Sequence, residues 1–195
     1  MTSDATIEVV AATRRNAEQF WTKAPLGLSL TRLSFDTRIS HEIAFDNQRG
    51  LPTIYNLRIQ APSGHDVLMF IHDDVWLDDF FLADHVIQGL KKYDIIGVAG
   101  NRRRLPNQPG WAFVDDAFTW DSTLQLSGSV AHGPGPFGAV SYFGPVPADC
   151  ELLDGVLLAA QKSKLVEASM SFDTRFMFHF STWTSAGQHA KEGCD

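Results

Sequence analysis

Residues 67–81, VLMFIHDDVWLDDFF, constrain the chain more than any other stretch. Val67 to Ile71 form an unbroken apolar run without alternation, the pattern of a strand covered on both faces. Such a strand needs helices above and below it, which predicts an α/β molecule. The run then passes directly into His72, Asp73, Asp74, Asp78 and Asp79, so acidic groups gather where a buried element reaches solvent.

The neighbouring segments extend this frame. TIEVVAA at 6–12 reads as a first strand leaving through Thr13-Arg14-Arg15. A helix can begin over 14–24 before Pro25 and Gly27 interrupt it, and 28–35 and 39–45 read as further strand material. NQRGLPTIYNLRIQAPSG carries helical spacing through Ile54, Leu57 and Ile59 or Ala61, with Pro52 in the first turn and Pro62 to Gly64 as the stop. Residues 79–92 place Phe80, Ala83, Val86, Ile87 and Leu90 at helical spacing, with Lys91 and Lys92 suited to the terminal carbonyls. DIIGVA at 94–99 is another buried strand. Helix, strand, helix, strand with short links predicts a mostly parallel sheet whose ligands lie beyond the carboxyl ends of the strands.

From Asn101 the texture changes to Gly- and Pro-rich sequence with Trp111 and Trp120, which fits loops and short strands, either antiparallel additions to the sheet or a covering lobe. A compact strand or helix follows around Leu152 to Ala160, then an aromatic-rich turn and helix start, MSFDTRFMFHF. The tail 185–195 has little to bury. No internal repeat or linker divides the 195 residues, so they form a single domain.

Charge and cysteine content exclude several classes. A formal net charge of −7 and a pI near 5.4 argue against a nucleic-acid surface. The one basic cluster, Arg102 to Arg104, suffices for a single diphosphate. Cys150 and Cys194 make neither a metal motif nor a disulfide framework, which fits a reducing compartment. The N-terminus lacks a signal-peptide pattern and no run of eighteen apolar residues exists, so a cytoplasmic location is expected, with peripheral membrane association open. The residues do not fix an oligomeric state.

Several groups have both a chemical and a plain reading. Carboxylates suit Mg²⁺ or Mn²⁺, and His72 and Asp74 are two apart, so they can point the same way from a strand end and share an ion. Asp73 would then face elsewhere, toward a sugar hydroxyl. In the plain reading the whole cluster is a solvated strand exit. Asp78 and Asp79 are read as caps of the next helix. One of Arg102, Arg103 and Arg104 can hold a phosphate or an acidic acceptor, or the three remain surface charge. His132, in the Gly128 to Gly135 stretch, can touch a ligand or stand as a loop histidine without a partner, and that stretch lacks the spacing of a phosphate loop. Asp154 beside Gly155 is either an acceptor-side carboxylate or a turn residue, and His179 sits among Phe178 and Phe180 as a core residue. No Gly-x-Ser-x-Gly elbow and no His-Glu-x-x-His motif occurs.

In combination, FDNQRGLPTIYNLRIQAPSGHDVLMFIHDDVWL, DIIGVAGNRR, LSGSVAHG, ELLDGVLLAA and FDTRFMFHF resemble the glycosyltransferase family 2-like proteins of the nucleotide-diphospho-sugar transferase A fold. The resemblance is to the subgroup whose metal motif is His-x-Asp, and it covers roughly residues 5–180. It implies a Rossmann-like, mostly parallel sheet flanked by helices, with a donor-binding half over about 5–104 and an acceptor-side half over about 105–184. It implies that Thr13 and Arg14 lie near the base, that Asn47, Gly50, Leu51 and Asn56 belong to the donor side, and that Asp73 approaches the ribose or donor sugar. Asp74, with His72, would hold Mn²⁺ or Mg²⁺ on the diphosphate of a nucleoside diphosphate sugar. Arg102 would assist at the phosphates, and Asp154 would stand at the junction of donor and acceptor. The implied reaction is an inverting transfer to a saccharide or lipid-linked acceptor at the inner face of a membrane.

The chain departs from the family pattern after Phe180. Relatives continue with Tyr-Asp-x-Asp, whose first aspartate is the expected base, whereas Ser181-Thr182-Trp183-Thr184 contains no carboxylate. Three explanations stay open: a C-terminally truncated copy, a nucleotide- or sugar-binding module without transfer, or recruitment of Asp154, Glu151 or His179 as the base. A nucleotidyltransferase would use a similar sheet and metal, but TIEVVAATRRNAEQF lacks its glycine-rich loop.

Overall fold

The computed structural model describes residues 1–62 and 64–175, and the backbone of 183–184 and 192–194. In chain order its elements are β1 (Ile7–Ala12), α1 (Ala17–Lys23), α2 (Pro25–Arg32), β2 (Ile39–Ala44), α3 (Leu51–Gln60), β3 (Val67–Ile71), α4 (Leu82–Lys92), β4 (Ile95–Gly97) and β5 (Ala99–Asn101). There follow β6 (Leu126–His132), β7 (Ala139–Gly144), β8 (Ala148–Cys150), β9 (Leu152–Leu153), β10 (Leu157–Gln161), α5 (Lys162–Glu167), β11 (Ser171–Phe172), β12 (Trp183–Thr184) and β13 (Glu192–Cys194).

The main sheet has the order β2-β1-β3-β10-β4-β13-β8. Its β1–β2, β1–β3 and β4–β13 pairings are parallel, while β10 pairs antiparallel with both β3 and β4, and β13 pairs antiparallel with β8. The sheet is therefore mixed. Helices cover both faces, as the unbroken run of β3 requires. On one face Ile7, Val9 and Ala11 of β1 and Val67, Met69 and Ile71 of β3 pack with Phe20, Leu26 and Leu30 of α1 and α2 and with Val86 and Leu90 of α4. On the other, Val10, Leu68 and Phe70 pack with Tyr55 and Ile59 of α3 and Leu165 of α5. Period-two alternation along each strand sends successive side chains to opposite layers, and both layers are apolar. A second sheet, β7-β6-β5-β9, carries the Gly- and Pro-rich part of the chain.

Four expectations are corrected. Residues 28–35 contribute helix rather than strand, because Pro25 occupies the first turn of α2 and Leu26 and Leu30, four apart, share its buried face. Pro25 starts this helix as well as ending α1. The 94–99 run is not one strand: Val98 separates β4 in the main sheet from β5 in the second, so the chain changes sheets there. In α3 the buried face is Pro52, Tyr55 and Ile59, and Leu57 is 50% exposed. The fourth helix begins at Leu82, three residues later than expected, and Phe80 is 54% exposed.

Gly128 serves close packing. It has φ +106°, and a Cβ there would lie 2.1 Å from the Val98 carbonyl oxygen, so only glycine lets β6 approach the sheet-switching residue.

Candidate functional site

The chain order of the main sheet reverses at β1. From β1 the chain moves outward to β2, then returns past β1 to β3 and continues away on the other side. The carboxyl ends of β1 and β3 flank that reversal, where an α/β sheet opens a crevice between diverging connections. Thr13 to Arg15 leave β1 there, Asp46 and Asn47 leave β2, and His72 to Asp74 leave β3. Because β10 is antiparallel to β3, its beginning lies at the same edge, and the His72 N–H donates to the Val156 carbonyl at 3.2 Å. Asp154 precedes Val156 across a turn at 155–156, and its own N–H donates to the Ala99 carbonyl at 2.8 Å.

Asp73 organises the centre. Its Oδ2 accepts from Thr13 Oγ1 at 2.5 Å and from Arg15 Nη1 at 3.0 Å, which ties the ends of β1 and β3 together. Both bonds fall on one oxygen, leaving Oδ1 as an open acceptor. Asn47 joins through its backbone, whose N–H donates to the Thr13 carbonyl at 2.9 Å, while its side chain closes a turn onto Arg49. Beneath Asp73, burial pushes the Tyr55 phenol well above its ordinary pKa, and the Asp73 charge adds to the effect. Tyr55 is therefore a neutral donor, directed at the Ile71 carbonyl at 3.4 Å.

The loop after Asp73 is pinned to α2. The Leu26 N–H donates to the Asp73 carbonyl at 3.3 Å and the Leu77 N–H to Ser29 Oγ at 3.0 Å, while Arg32 Nη2 reaches Asp78 Oδ1 at 3.1 Å. This anchoring leaves Asp74 exposed, with neither a hydrogen bond nor an ion pair among the described residues. The half-buried His72 ring is likewise uncommitted. Among the described residues no group of three or more His, Cys, Asp or Glu side chains is arranged to hold a metal ion. Asp74 and His72 offer at most two carboxylate oxygens and one ring nitrogen, so a Mg²⁺ or Mn²⁺ ion held there would take its other ligands from phosphate and water.

Asp78 does not cap α4. Its second oxygen accepts from the Phe137 N–H at 2.9 Å, fastening the β6–β7 turn against the loop that follows β3. Asp79 does not cap α4 either, since no side chain caps that helix; it accepts from the Phe81 N–H, one residue before the helix, at 2.8 Å and lies 2.6 Å from His85 Nδ1.

The remaining expected residues divide. Asp154 is half-buried, and its Oδ1 accepts from the Val156 N–H at 2.7 Å, so it is a turn residue with its other oxygen uncommitted. Arg14 is exposed and Arg15 takes the inward position. Asn56 spends both ends of its amide on the Phe172 backbone, at 2.9 and 2.8 Å, and thereby holds β11 against α3. Arg102 is exposed and lies about 10 Å along β5 from the position level with Asp154, at roughly 3.3 Å per residue. Arg103 instead forms a bidentate pair with the buried Asp121 at 2.9 and 2.6 Å. His132 is exposed at the end of β6, and His179 lies outside the described residues. Trp111 packs edge-on against Phe143, whereas Trp120 is stacked on Phe143 and 56% exposed.

Sequence reasoning missed Arg15, although a signal for it existed. Residues two apart on an extended exit share a direction, so a Thr13 that faces the crevice implies an inward Arg15 and an outward Arg14. The Asp78 to Phe137 tie, across 59 residues, had no local signal.

No protein-family model matches this chain, and no curated protein is significantly similar to it.

Proposed function

We propose that the chain binds a nucleoside diphosphate sugar at the β1–β3 edge and transfers the sugar to an acceptor hydroxyl, as an inverting glycosyltransferase. The observation that carries this reading is the Thr13–Asp73–Arg15 cluster at the reversal of strand order, with the uncommitted Asp74 and His72 beside it. The finer description of the fold, a Rossmann-like and mostly parallel sheet, belongs to the same proposal. Its support is that β2, β1, β3, β4 and β13 share one direction while β10 and β8 oppose them.

Each group has a role in this reading. Asp73 Oδ1 accepts from a ribose or sugar hydroxyl, held in place by the bonds on Oδ2. Arg15 sets positive charge beside the phosphates. Asp74 and His72 hold Mn²⁺ or Mg²⁺, whose charge, when bound, stabilises the departing nucleoside diphosphate. The free oxygen of Asp154 takes the proton of the attacking hydroxyl as the acceptor oxygen bonds to the anomeric carbon. The acceptor is a saccharide or a lipid-linked saccharide. A cytoplasmic protein working at the inner face of a membrane fits such an acceptor, and no helix among the described residues is long and apolar enough to cross a membrane.

A second reading, a module that binds nucleotide sugar without transferring it, is favoured by one observation. Asp154 already accepts from Val156, as a turn residue does. Incubation with a panel of UDP- and GDP-sugars, Mn²⁺ and saccharide acceptors separates the two. Transfer predicts cation-dependent release of nucleoside diphosphate that falls about a hundredfold or more in Asp154→Asn, the scale of a lost general base. Binding without release supports the second reading.

A further inference from the structure

Glu8, Ser40 and His65 form a second constellation at the far end of the sheet. Glu8 and Ser40 are direct partners in the β1–β2 register, so their side chains share the α3 face. Thr13 lies five residues further along β1, about 16 Å away at roughly 3.3 Å per residue. Ser40 Oγ is 2.7 Å from His65 Nε2, and His65 Nδ1 is 3.7 Å from Glu8 Oε2. Glu8 is 3% exposed, and its other oxygen is held by Arg58.

Proton placement decides what this arrangement can do. Glu8 Oε2 and His65 Nδ1 are both buried, and neither has a hydrogen-bond partner. A carboxylate facing a ring nitrogen favours the tautomer with the proton on that nitrogen, so Nδ1 carries it. Nε2 then presents a lone pair, and the short contact is the Ser40 hydroxyl donating to it. The competing bond from Ser40 to the Ile7 carbonyl is longer, at 3.3 Å. A hydroxyl on an imidazole, oriented by a buried acid, is the arrangement that activates a serine. The 3.7 Å gap is within the looseness such contacts show before a substrate is bound.

Access supports a reaction here. β2 is the outermost strand, and Ser40 is partly exposed on it. The bonds from Ile7 N to the Arg38 carbonyl and from Thr13 N to the Ala44 carbonyl fix which peptides of β2 face β1. Alternation turns the His41 N–H the other way, toward the open edge, where a backbone donor beside the nucleophile can face a developing oxyanion. On the side of His65 away from the nucleophile lies a cavity of about 610 Å³, also lined by Thr2, Asp66, Gln161 and Lys162; Ser40 is not in its lining and is reached from the open edge of β2.

We propose that Ser40, His65 and Glu8 form a nucleophilic relay that hydrolyses small carboxylic esters, separate from the nucleotide edge. Ser40 Oγ bonds to the acyl carbon while its proton passes to His65 Nε2. The tetrahedral species expels the alcohol, which leaves with that proton. Water then repeats the sequence on the acyl-serine, releasing the acid and restoring Ser40.

The test is labelling of the intact protein with a fluorophosphonate, followed by mass-spectrometric location of the adduct, alongside p-nitrophenyl acetate hydrolysis. One adduct on Ser40 is expected, with labelling about a hundredfold slower in His65→Gln, as loss of a general base requires. The wild-type protein alone decides the first point: no adduct on Ser40, or labelling only elsewhere, overturns the proposal. Labelling of Ser40 at an unchanged rate in a folded His65→Gln overturns it too. Ser40→Ala, which removes one exchangeable group from a partly exposed position, should abolish both the adduct and the ester hydrolysis.

Discussion

Asp73 and its neighbours separate two kinds of acidic group that look alike in the sequence. Asp73 is committed through one oxygen to Thr13 and Arg15, while Asp74, next in the chain, commits nothing. Arg15→Ala should therefore weaken nucleoside diphosphate binding about tenfold, roughly 1.4 kcal/mol, whereas Arg14→Ala should leave it within twofold. Calorimetric titration of the two variants checks this, and equal effects would contradict the inward placement of Arg15. The residue types at the strand exit were legible because an uninterrupted apolar run can end only at a solvent edge. Which of them face inward was not, since direction depends on pairing between β1 and β3, and that pairing joins positions 60 residues apart.

Elements report how local rules are overridden by packing. Pro25 and Gly27 looked like breakers, yet α1 and α2 are two helices meeting at an elbow. There a Cβ on residue 27 would lie 2.2 Å from the Phe20 carbonyl oxygen. Gly27→Ala should cost about 1–3 kcal/mol through overpacking. Gly64→Ala, where nothing lies within 4 Å, should stay within about 0.5 kcal/mol. Chemical denaturation of both variants measures the difference.

The glycine-rich lobe has its own fastening, in which Asp121 accepts from Arg103, from Asn101 and from the Ser122 N–H. Chiefly the Arg103 guanidinium, with the Asn101 and Ser122 bonds, holds the Asp121 carboxyl at about 2. A folded pKa below the unfolded value, near about 3.9, contributes stability that is complete above that value and is lost as pH falls toward about 2. The near-UV signal of Trp111 and Trp120 should lose thermal stability between about pH 4 and pH 2 in wild type, and Asp121→Asn should flatten that dependence. That this part holds strands was legible in the sequence; that they form a second sheet with β5 and β9 was not. β5 and β9 have only three and two residues, and Gly100 of one pairs with Leu153 of the other from a distant part of the chain.

At the scale of the molecule, a three-layer α/β body carries an edge at which four chain segments meet. The α/β class was readable from the strand and helix periods, but the sense of β10 was not. Leu157 to Ala160 are apolar in either direction, and only the route through the second sheet brings them back antiparallel between β3 and β4. Long-range clasps close this body, such as the Asn56 amide on Phe172, 116 residues away. Asn56→Ala removes both bonds and should cost about 2 kcal/mol, a fall of roughly 4–8 °C in Tm for a chain of this size. Scanning calorimetry measures it, and nucleotide affinity should be largely retained, because both the nitrogen and the oxygen of the amide are engaged with β11.

The central claim is that Asp74 and a divalent cation complete a diphosphate site at the β1–β3 edge. The most direct measurement is calorimetric titration of the folded protein with UDP and with GDP, with and without Mn²⁺, repeated in Asp74→Ala. Saturable binding that requires both Mn²⁺ and Asp74 is the expected result. A folded protein that binds neither nucleotide, or binds one equally well without the cation or without Asp74, would contradict the account.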